Sequence, residues 1–387
     1  VHLADTDGDG RADARRVVLS GFGTEDTHHL IHTFRWGPDA RLYFNQSIYI
    51  HSHVEIPAGV RRLNGGGIWR FAPDSLALDV FARGWVNAWG HVVDPWGRSL
   101  VTDGAGGEGI YYGFPGAAYQ AAVGTPRILH GMNPGSPKYC SLEILDGAHL
   151  PDEARGLLVT NDFRANRVCR FRLADAGSGF TSEKLPDLIH SKRVTFRPID
   201  VKLGPDGALY IADWYNPIIQ HGEVDFRDPR RDREHGRIWR VTAKGRPNAP
   251  RIDFTSLSNR DLLGKLGAAD GFSRDMARRV LATRDPADVG AALGGWLGSL
   301  DQSAPQFERL RVEGLWVRQG LDRGRVQDVD PNLLVAVLRS PEPRARAAAC
   351  RVVPDWAARP RGGSGRRPAR GRGRGGEARR GGRRGAG

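Results

Sequence analysis

Cysteine is scarce in this chain. Cys140, Cys169 and Cys350 are the three present in 387 residues, and no two stand at a ligand-like spacing. With neither Cys-x-x-Cys nor Cys-x-x-Cys-His, a zinc ribbon and an attached c-type haem are both excluded within these residues. No apolar run approaches the ~20 residues that a helix needs to span a bilayer, so no membrane span is expected. Acidic residues are in the minority, with a formal net charge of +13, yet the excess is local. From Arg359 onward eleven arginines face one acid, Glu377, so this tail holds +10 and the rest of the chain only +3. An Arg/Gly tail can neutralise phosphate. The simpler expectation for 357–387 is a disordered end, and nucleic acid is not an expected partner. Its abrupt onset after Pro354-Asp355-Trp356 fits an out-of-frame translation.

What is present is a repeat. Trp36-Gly37-Pro38-Asp39 leads into Leu42-Tyr43-Phe44, and Asp94-Pro95-Trp96-Gly97 into Ser99-Leu100-Val101. Gly156 leads into Leu157-Leu158-Val159, and Gly204-Pro205-Asp206-Gly207 into Leu209-Tyr210-Ile211. Counted from Leu42, Ser99, Leu157 and Leu209, the steps are 57, 58 and 52 residues. A second element follows several of them: Gly67–Arg70, Arg167–Arg170 and Gly236–Arg240. Short strands, tight turns and a period of roughly 50 residues predict the blades of a β-propeller rather than a β-sandwich. The longest loop, between Ile211 and Arg237, is full of Asp, Arg and His, and loops on a rigid scaffold are where chemistry usually sits.

After Pro250 the pattern changes to helical spacing, as in Leu262, Leu263, Leu266 and Val289, Leu293, Trp296, Leu297. Pro286, Pro331, Pro341 and Pro343 fall near predicted helix starts, where proline is tolerated. Asp330 to Val353 reads as helix, proline-containing turn, helix, the shape of a HEAT-like repeat. The expected division is a β domain over 1–249, HEAT-like helices over 250–356 and the tail. The chain starts at Val1 in mid-pattern, so N-terminal strands are expected to precede it.

Three stretches carry a resemblance: 21–43 (GFGTEDTHHLIHTFRWGPDARLY), 142–171 (LEILDGAHLPDEARGLLVTNDFRANRVCRF) and 196–240. They resemble the membrane-bound dehydrogenase propeller proteins of planctomycetes and verrucomicrobia, which in turn look like soluble quinoprotein glucose and sorbosone dehydrogenases. The resemblance covers about Asp5 to Pro247. It implies an incomplete six-bladed β-propeller followed by an α-helical HEAT-like solenoid. It also implies oxidation of a sugar or related alcohol or aldehyde, with pyrroloquinoline quinone and calcium as cofactors. Electrons would pass to a haem partner of the cytochrome c type, and the location would be periplasmic or exported.

In the related dehydrogenases the base is a His nine residues before the Pro of a Pro-Asp turn, and His29 stands nine before Pro38. Such a base would take a proton from a sugar hydroxyl. The bland reading makes His28, His29 and His32 strand-edge residues without a ligand. Within Gly84-Trp85-Val86-Asn87-Ala88-Trp89-Gly90, Asn87 matches a cofactor contact, and Val86 replaces an arginine. Within Arg197-Pro198-Ile199-Asp200-Val201, Arg197 and Asp200 match, and Ile199 replaces a second arginine. Asp213 is the further pocket carboxylate expected, beside Trp214. Arg227, Arg230, Arg231 and Arg233 could replace the lost cations, or pair with Asp225, Asp228 and Asp232 on the surface. Losing two guanidinium groups favours the alternative, a non-catalytic propeller that binds carbohydrate or protein and docks through its helices.

Asp5, Asp7, Asp9 and Asp13, with Gly10 between, have the spacing of a calcium loop and resemble thrombospondin-type and dockerin-like loops. A solvated acidic turn is the other reading. Asp103 to Glu108 is a second, weaker loop of that kind. His91, His149 and His221 adjoin turns, and most tryptophans are expected to pack between blades.

Overall fold

The computed structural model describes residues 1–105, 108–122, 124–132, 138–147, 149–220, 222–321 and 330–357. The predicted tail beyond Ala357, His221, and Gly106 and Gly107 of the second acidic loop lie outside the described residues. The described chain is mainly antiparallel β-structure followed by six helices.

A short hairpin opens it, β1 (His2–Ala4) with β2 (Ala14–Arg16). Next come β3 (His32–Trp36) and β4 (Leu42–Gln46), a side hairpin of β5 (His51–Ile56) and β6 (Gly59–Asn64), then β7 (Gly66–Ala72) and β8 (Ala77–Trp85). The first large sheet has the order β3-β4-β7-β8. The second consists of β9 (Ala88–Val93), β10 (Ser99–Asp103) and β11 (Gly109–Gly113). The third has four strands, β12 (Tyr139–Leu145), β13 (Leu157–Asp162), β14 (Arg167–Ala176) and β15 (Gly179–His190). The fourth has three, β16 (Pro198–Leu203), β17 (Leu209–Asp213) and β18 (Arg237–Val241). Leu42, Ser99, Leu157 and Leu209, the equivalent positions of the repeat, each open the second strand of a sheet.

The turn chemistry explains the repeat. The Asp39 carboxylate accepts from the Arg41 amide (3.3 Å) and the Tyr43 hydroxyl (2.9 Å). Asp206 does the same with the Ala208 amide (3.2 Å) and the Tyr210 hydroxyl (3.0 Å). In both turns the tyrosine ring lies where a Cβ on Gly37 or Gly204 would stand, so the glycine makes room for the aromatic lid.

Each sheet packs face to face on the next. Tyr43, Phe81 and Trp85 meet Val101 and Tyr111; Leu100 and Ile110 meet Leu142, Leu158 and Phe171; Leu157 and Val168 meet Val201, Leu209 and Ile211. The first strands β3, β9, β12 and β16 adjoin in succession at the inner side of this arc. Arg35 of β3 ties them: its guanidinium donates to Glu143 (3.0 Å) and to the carbonyls of Leu142 (2.6 Å) and Val201 (3.3 Å).

The helices are α1 (Asn259–Lys265), α2 (Gly271–Thr283), α3 (Pro286–Gly298), α4 (Phe307–Leu321), α5 (Pro331–Leu338) and α6 (Pro343–Ala357). Ser258, Asp270, Asp285 and Asp330 cap α1, α2, α3 and α5, each accepting from an amide of the first turn. Pro286, Pro331 and Pro343 occupy first positions, whereas Pro341 lies in the turn between α5 and α6. No helix among the described residues is long and apolar enough to cross a membrane.

The helical layer sits on the C-terminal ends of the first strands. Arg274 bonds Asp146 just after β12 (2.7 Å), Trp316 covers Gly97 after β9, and the Arg279 guanidinium lies over Trp36 at the end of β3. The N-terminal ends of those strands are left to the loops that carry His29.

Candidate functional site

At that opposite end the four sheets bring side chains together. The His29 imidazole is buried and stacks on the Trp89 indole, with ring centroids 5.8 Å apart and planes 14° from parallel. Its Nδ1 lies 3.1 Å from a carboxylate oxygen of Asp26. The carboxylate lies at ion-pair distance from the ring, without an aligned hydrogen bond to Nδ1. Tyr49 meets the same imidazole edge-on at 6.0 Å. Beyond Trp89 lie Phe163 (5.8 Å) and the Lys138 ammonium, 5.4 Å from the indole centroid. The neighbouring His28 ring touches Trp214 (6.2 Å). Loops of all four sheets therefore contribute to one cluster, with Trp89, Lys138, Phe163 and Trp214 half-exposed around a buried imidazole.

His32 lies at the head of β3, and burial pushes its pKa down to about 4, assisted by repulsion from His29 and opposed by Asp200. Burial also lowers the pKa of Lys138, with Arg164 adding repulsion. His91, a core residue bonded to Ser99 (3.1 Å) and packed on Tyr43 and Phe81, is pushed down to about 3 by burial and by the charge of Arg35.

Two histidines held neutral, the buried His91 and the half-buried His32, predict acid lability. Above the ordinary histidine value of about 6.5, both are neutral folded and unfolded, and they contribute nothing to the pH dependence. As pH falls through that value, the unfolded chain takes up protons that the folded chain refuses. Stability then declines until about pH 4 for His32 and about pH 3 for His91. Each can contribute on the order of 3 kcal/mol to the loss. The melting temperature is expected to fall between pH 6.5 and 4.5, and His91→Gln to flatten that slope. A wild-type Tm constant over this range would contradict it.

The other predicted site residues fall as follows. Asn87 is buried at the head of β9, and its amide donates to Asp103 (2.8 Å). Its side-chain oxygen has no protein partner. Asp103 also accepts from the amides of Val86 and Ala105 and from Arg127, which makes it a loop anchor. Glu108 likewise binds Tyr111, Gly131 and His130. The Arg197 guanidinium is buried and donates to four backbone carbonyls, those of Phe163, Arg164, Asn216 and Pro217. Asp213 accepts from the amides of Arg197 (2.8 Å) and Tyr215 (3.0 Å), from Arg237 Nε (3.0 Å) and from the Trp239 indole (2.9 Å), with Arg237 Nη2 at ion-pair distance (2.9 Å). Both hold the loop rather than face a solvent-filled pocket. Asp200 is half-exposed, bonded by the Ser141 hydroxyl (2.5 Å), with the Lys202 ammonium 3.5 Å away.

In the long loop, Arg230 pairs with Asp228 (2.7 Å), Arg231 donates to the carbonyls of Gln220, Val224 and Asp225, and Arg233 to that of Phe226. His149 is held between the Pro247 carbonyl and the Ala243 amide. Among the predicted calcium ligands, Asp5, Asp7 and Asp9 converge, each offering an oxygen within 4.8 Å of the others. Asp13 instead binds the amide and hydroxyl of Thr6. Lys138, Phe163 and Tyr49 were not expected in the site. Lys138 and Phe163 each precede or follow a strand by one residue, the one signal that could have found them.

A mainly β protein with a carboxylate-oriented imidazole at the meeting point of its sheets is the class thus defined. Residues 1–127 and 130–245 match the family described as "Domain of unknown function (DUF7133)", and the chain belongs to that family. No curated protein matches it. Solved structures similar to it include a putative oxidoreductase (glucose dehydrogenase) from Thermus thermophilus, at 19% identity and a TM-score of 0.37, covering 54% of this chain and 63% of that one. The PQQ-bound aldose sugar dehydrogenase of Streptomyces coelicolor is 16% identical with a TM-score of 0.35, covering 55% and 62%. An auxiliary nutrient binding protein from Bacteroides ovatus is 11% identical with a TM-score of 0.30, covering 60% and 47%. The chain spans less than two thirds of the length of each, and likenesses this distant assign no activity.

Proposed function

We propose that the chain acts on a sugar or a related alcohol or aldehyde held against Trp89, with His29 taking the proton of a substrate hydroxyl. The observation that carries this reading is the Asp26–His29 pair laid on the indole where the four sheets meet. An imidazole beside a carboxylate can serve as a base near pH 7. Asn87 and Asp200 would offer polar contacts to the substrate. The arc of face-packed sheets supports the β-propeller reading, and the helix pairs support the HEAT-like one.

Proton removal is half of a dehydrogenation; the hydride half would belong to a cofactor. Pyrroloquinoline quinone carries several carboxylates, which call for several cations. Lys138 is the cation set over the indole, Arg197 is already bonded to four carbonyls, and Val86 and Ile199 offer none. These residues fit that anion poorly, and no step is derived through it. The same shortage favours the second reading, a non-catalytic module that binds carbohydrate or protein.

The experiment is dye reduction across a sugar panel after incubation with the quinone and calcium, beside calorimetry with sugars and with calcium alone. Turnover supports the dehydrogenase, with a cytochrome c-type protein as its natural electron acceptor. Sugar binding without turnover supports the second reading, and neither removes both. Calcium heat would support an ion at Asp5, Asp7 and Asp9.

A further inference from the structure

Thr33 is a β-branched residue with φ of +56°, in the left-handed region that such residues avoid. A conformation of this kind costs of order 1–3 kcal/mol and persists only where its surroundings hold it. It sits in the irregular stretch of β3, between the pairs His32–Asn45 and Arg35–Tyr43. Its hydroxyl lies 3.0 Å from the carbonyl oxygen of Trp89, and its oxygen lies 2.9 Å from Nδ1 of His32. A carbonyl can only accept, so the hydroxyl proton points to Trp89. The same oxygen must then accept from His32, and Nδ1 must carry the ring proton.

We infer that Thr33 is a positioning residue that fixes His32 as its Nδ1–H tautomer, so that Nε2 stands as a hydrogen-bond acceptor. Nε2 meets the Ser47 hydroxyl at 3.5 Å, a long contact. The charged and titratable groups around the ring are His29 and Asp200, and its burial keeps it neutral. Resting on the function proposed above, this acceptor would receive an O–H of the ligand while His29 takes a proton. A ligand lacking that hydroxyl would leave a buried acceptor unpaired and be rejected.

The third sheet supplies an internal comparison. Ser141 has φ of +57° at the matching irregularity of β12, and its hydroxyl bonds Asp200 and the Val201 carbonyl of the next sheet. A hydroxyl joining neighbouring inner strands is thus part of the architecture. The position before it is Cys140 there and His32 here. A purely architectural role for Thr33 would predict no effect on the imidazole.

The test is long-range proton–nitrogen correlation NMR on protein labelled in histidine, with the His32 signals identified by their loss in His32→Asn. The wild type is expected to show Nδ1–H at pH 7, Thr33→Ser the same, and Thr33→Val a shift toward Nε2–H. An Nε2–H tautomer in the wild type would overturn the inference, and so would Nδ1–H kept in Thr33→Val. Should Thr33→Val not fold, the wild-type and Thr33→Ser spectra still decide. Failure of the base assignment would show separately, as unchanged turnover in a His29 variant with this signature intact.

Discussion

His29→Gln is expected to reduce turnover at least 100-fold while leaving the protein folded. Glutamine can cover part of the Trp89 face, but it cannot accept a proton at neutral pH. General-base catalysis contributes about 10²–10⁴ in rate, and the whole of that contribution depends on this ring. Asp26, 3.1 Å from Nδ1, acts through His29 rather than on substrate. Asp26→Asn is therefore expected to lower kcat by a smaller factor with little change in KM. The measurement is dye reduction with any sugar that turns over in the panel, beside a melting curve and calorimetric binding for each variant. Retained sugar binding with lost turnover identifies the base. If His29→Gln turns over like the wild type, the proton leaves by another route and the assignment is wrong. If binding is lost along with turnover, the imidazole is a ligand contact and the second reading gains.

How much of this was legible before the coordinates depends on how local the cause is. The Gly-Pro-Asp turns with a tyrosine four residues after the aspartate are closed by bonds within the turn itself, and they marked the second strands correctly. Helix starts at Pro286, Pro331 and Pro343 were readable for the same reason: a proline at the first helical position acts within one turn. The side hairpin β5–β6 was not foreseen. It is held by Gln46, whose side chain reaches the carbonyls of Ile50, Leu63 and Gly65 and the groups of Ser52 and Trp69, contacts that no spacing rule encodes.

The site was legible in type and less so in role. His29 was singled out through the family resemblance, and what surrounds it comes from four sheets. Trp89 was expected to pack between blades and instead carries the imidazole stack on one side and the Lys138 ammonium near its ring. Arg197 and Asp213 matched a cofactor pattern, but most of their partners, such as Phe163 and Trp239, are distant in the chain. Their burial inside the loop could not be read from their neighbours in sequence. The arginines of the 227–233 segment were left between two readings. The structure has Arg230, Arg231 and Arg233 bonded within their own loop.

Asp213→Ala is the substitution expected to destabilise the protein most. The carboxylate is buried and accepts four N–H bonds, from two amides, the Arg237 Nε and the Trp239 indole, with Arg237 Nη2 as a further ion-pair contact. Alanine leaves these four donors without that acceptor and removes the counter-ion of a partly buried cation stacked over Tyr215. Removing one partner of a buried, hydrogen-bonded ion pair costs about 3–5 kcal/mol, because the uncompensated charge stays behind. For a unit of this size that is a fall of roughly 10 °C in Tm. Asp213→Asn should lose less, since one oxygen can still accept from the amides of Arg197 and Tyr215 while the amide group turns donors toward Arg237. The loss should be felt first in the fourth sheet, because Asp213 is the point where β16, β17, β18 and the loop 214–236 are tied together. Trypsin should therefore cut the variant at Arg227, Arg230 or Arg233 well before the wild type, at temperatures where the remaining sheets still hold. Equal cleavage rates with a lowered Tm would mean that the four sheets unfold as one cooperative unit. An unchanged Tm would mean that the carboxylate is not the acceptor those four donors share.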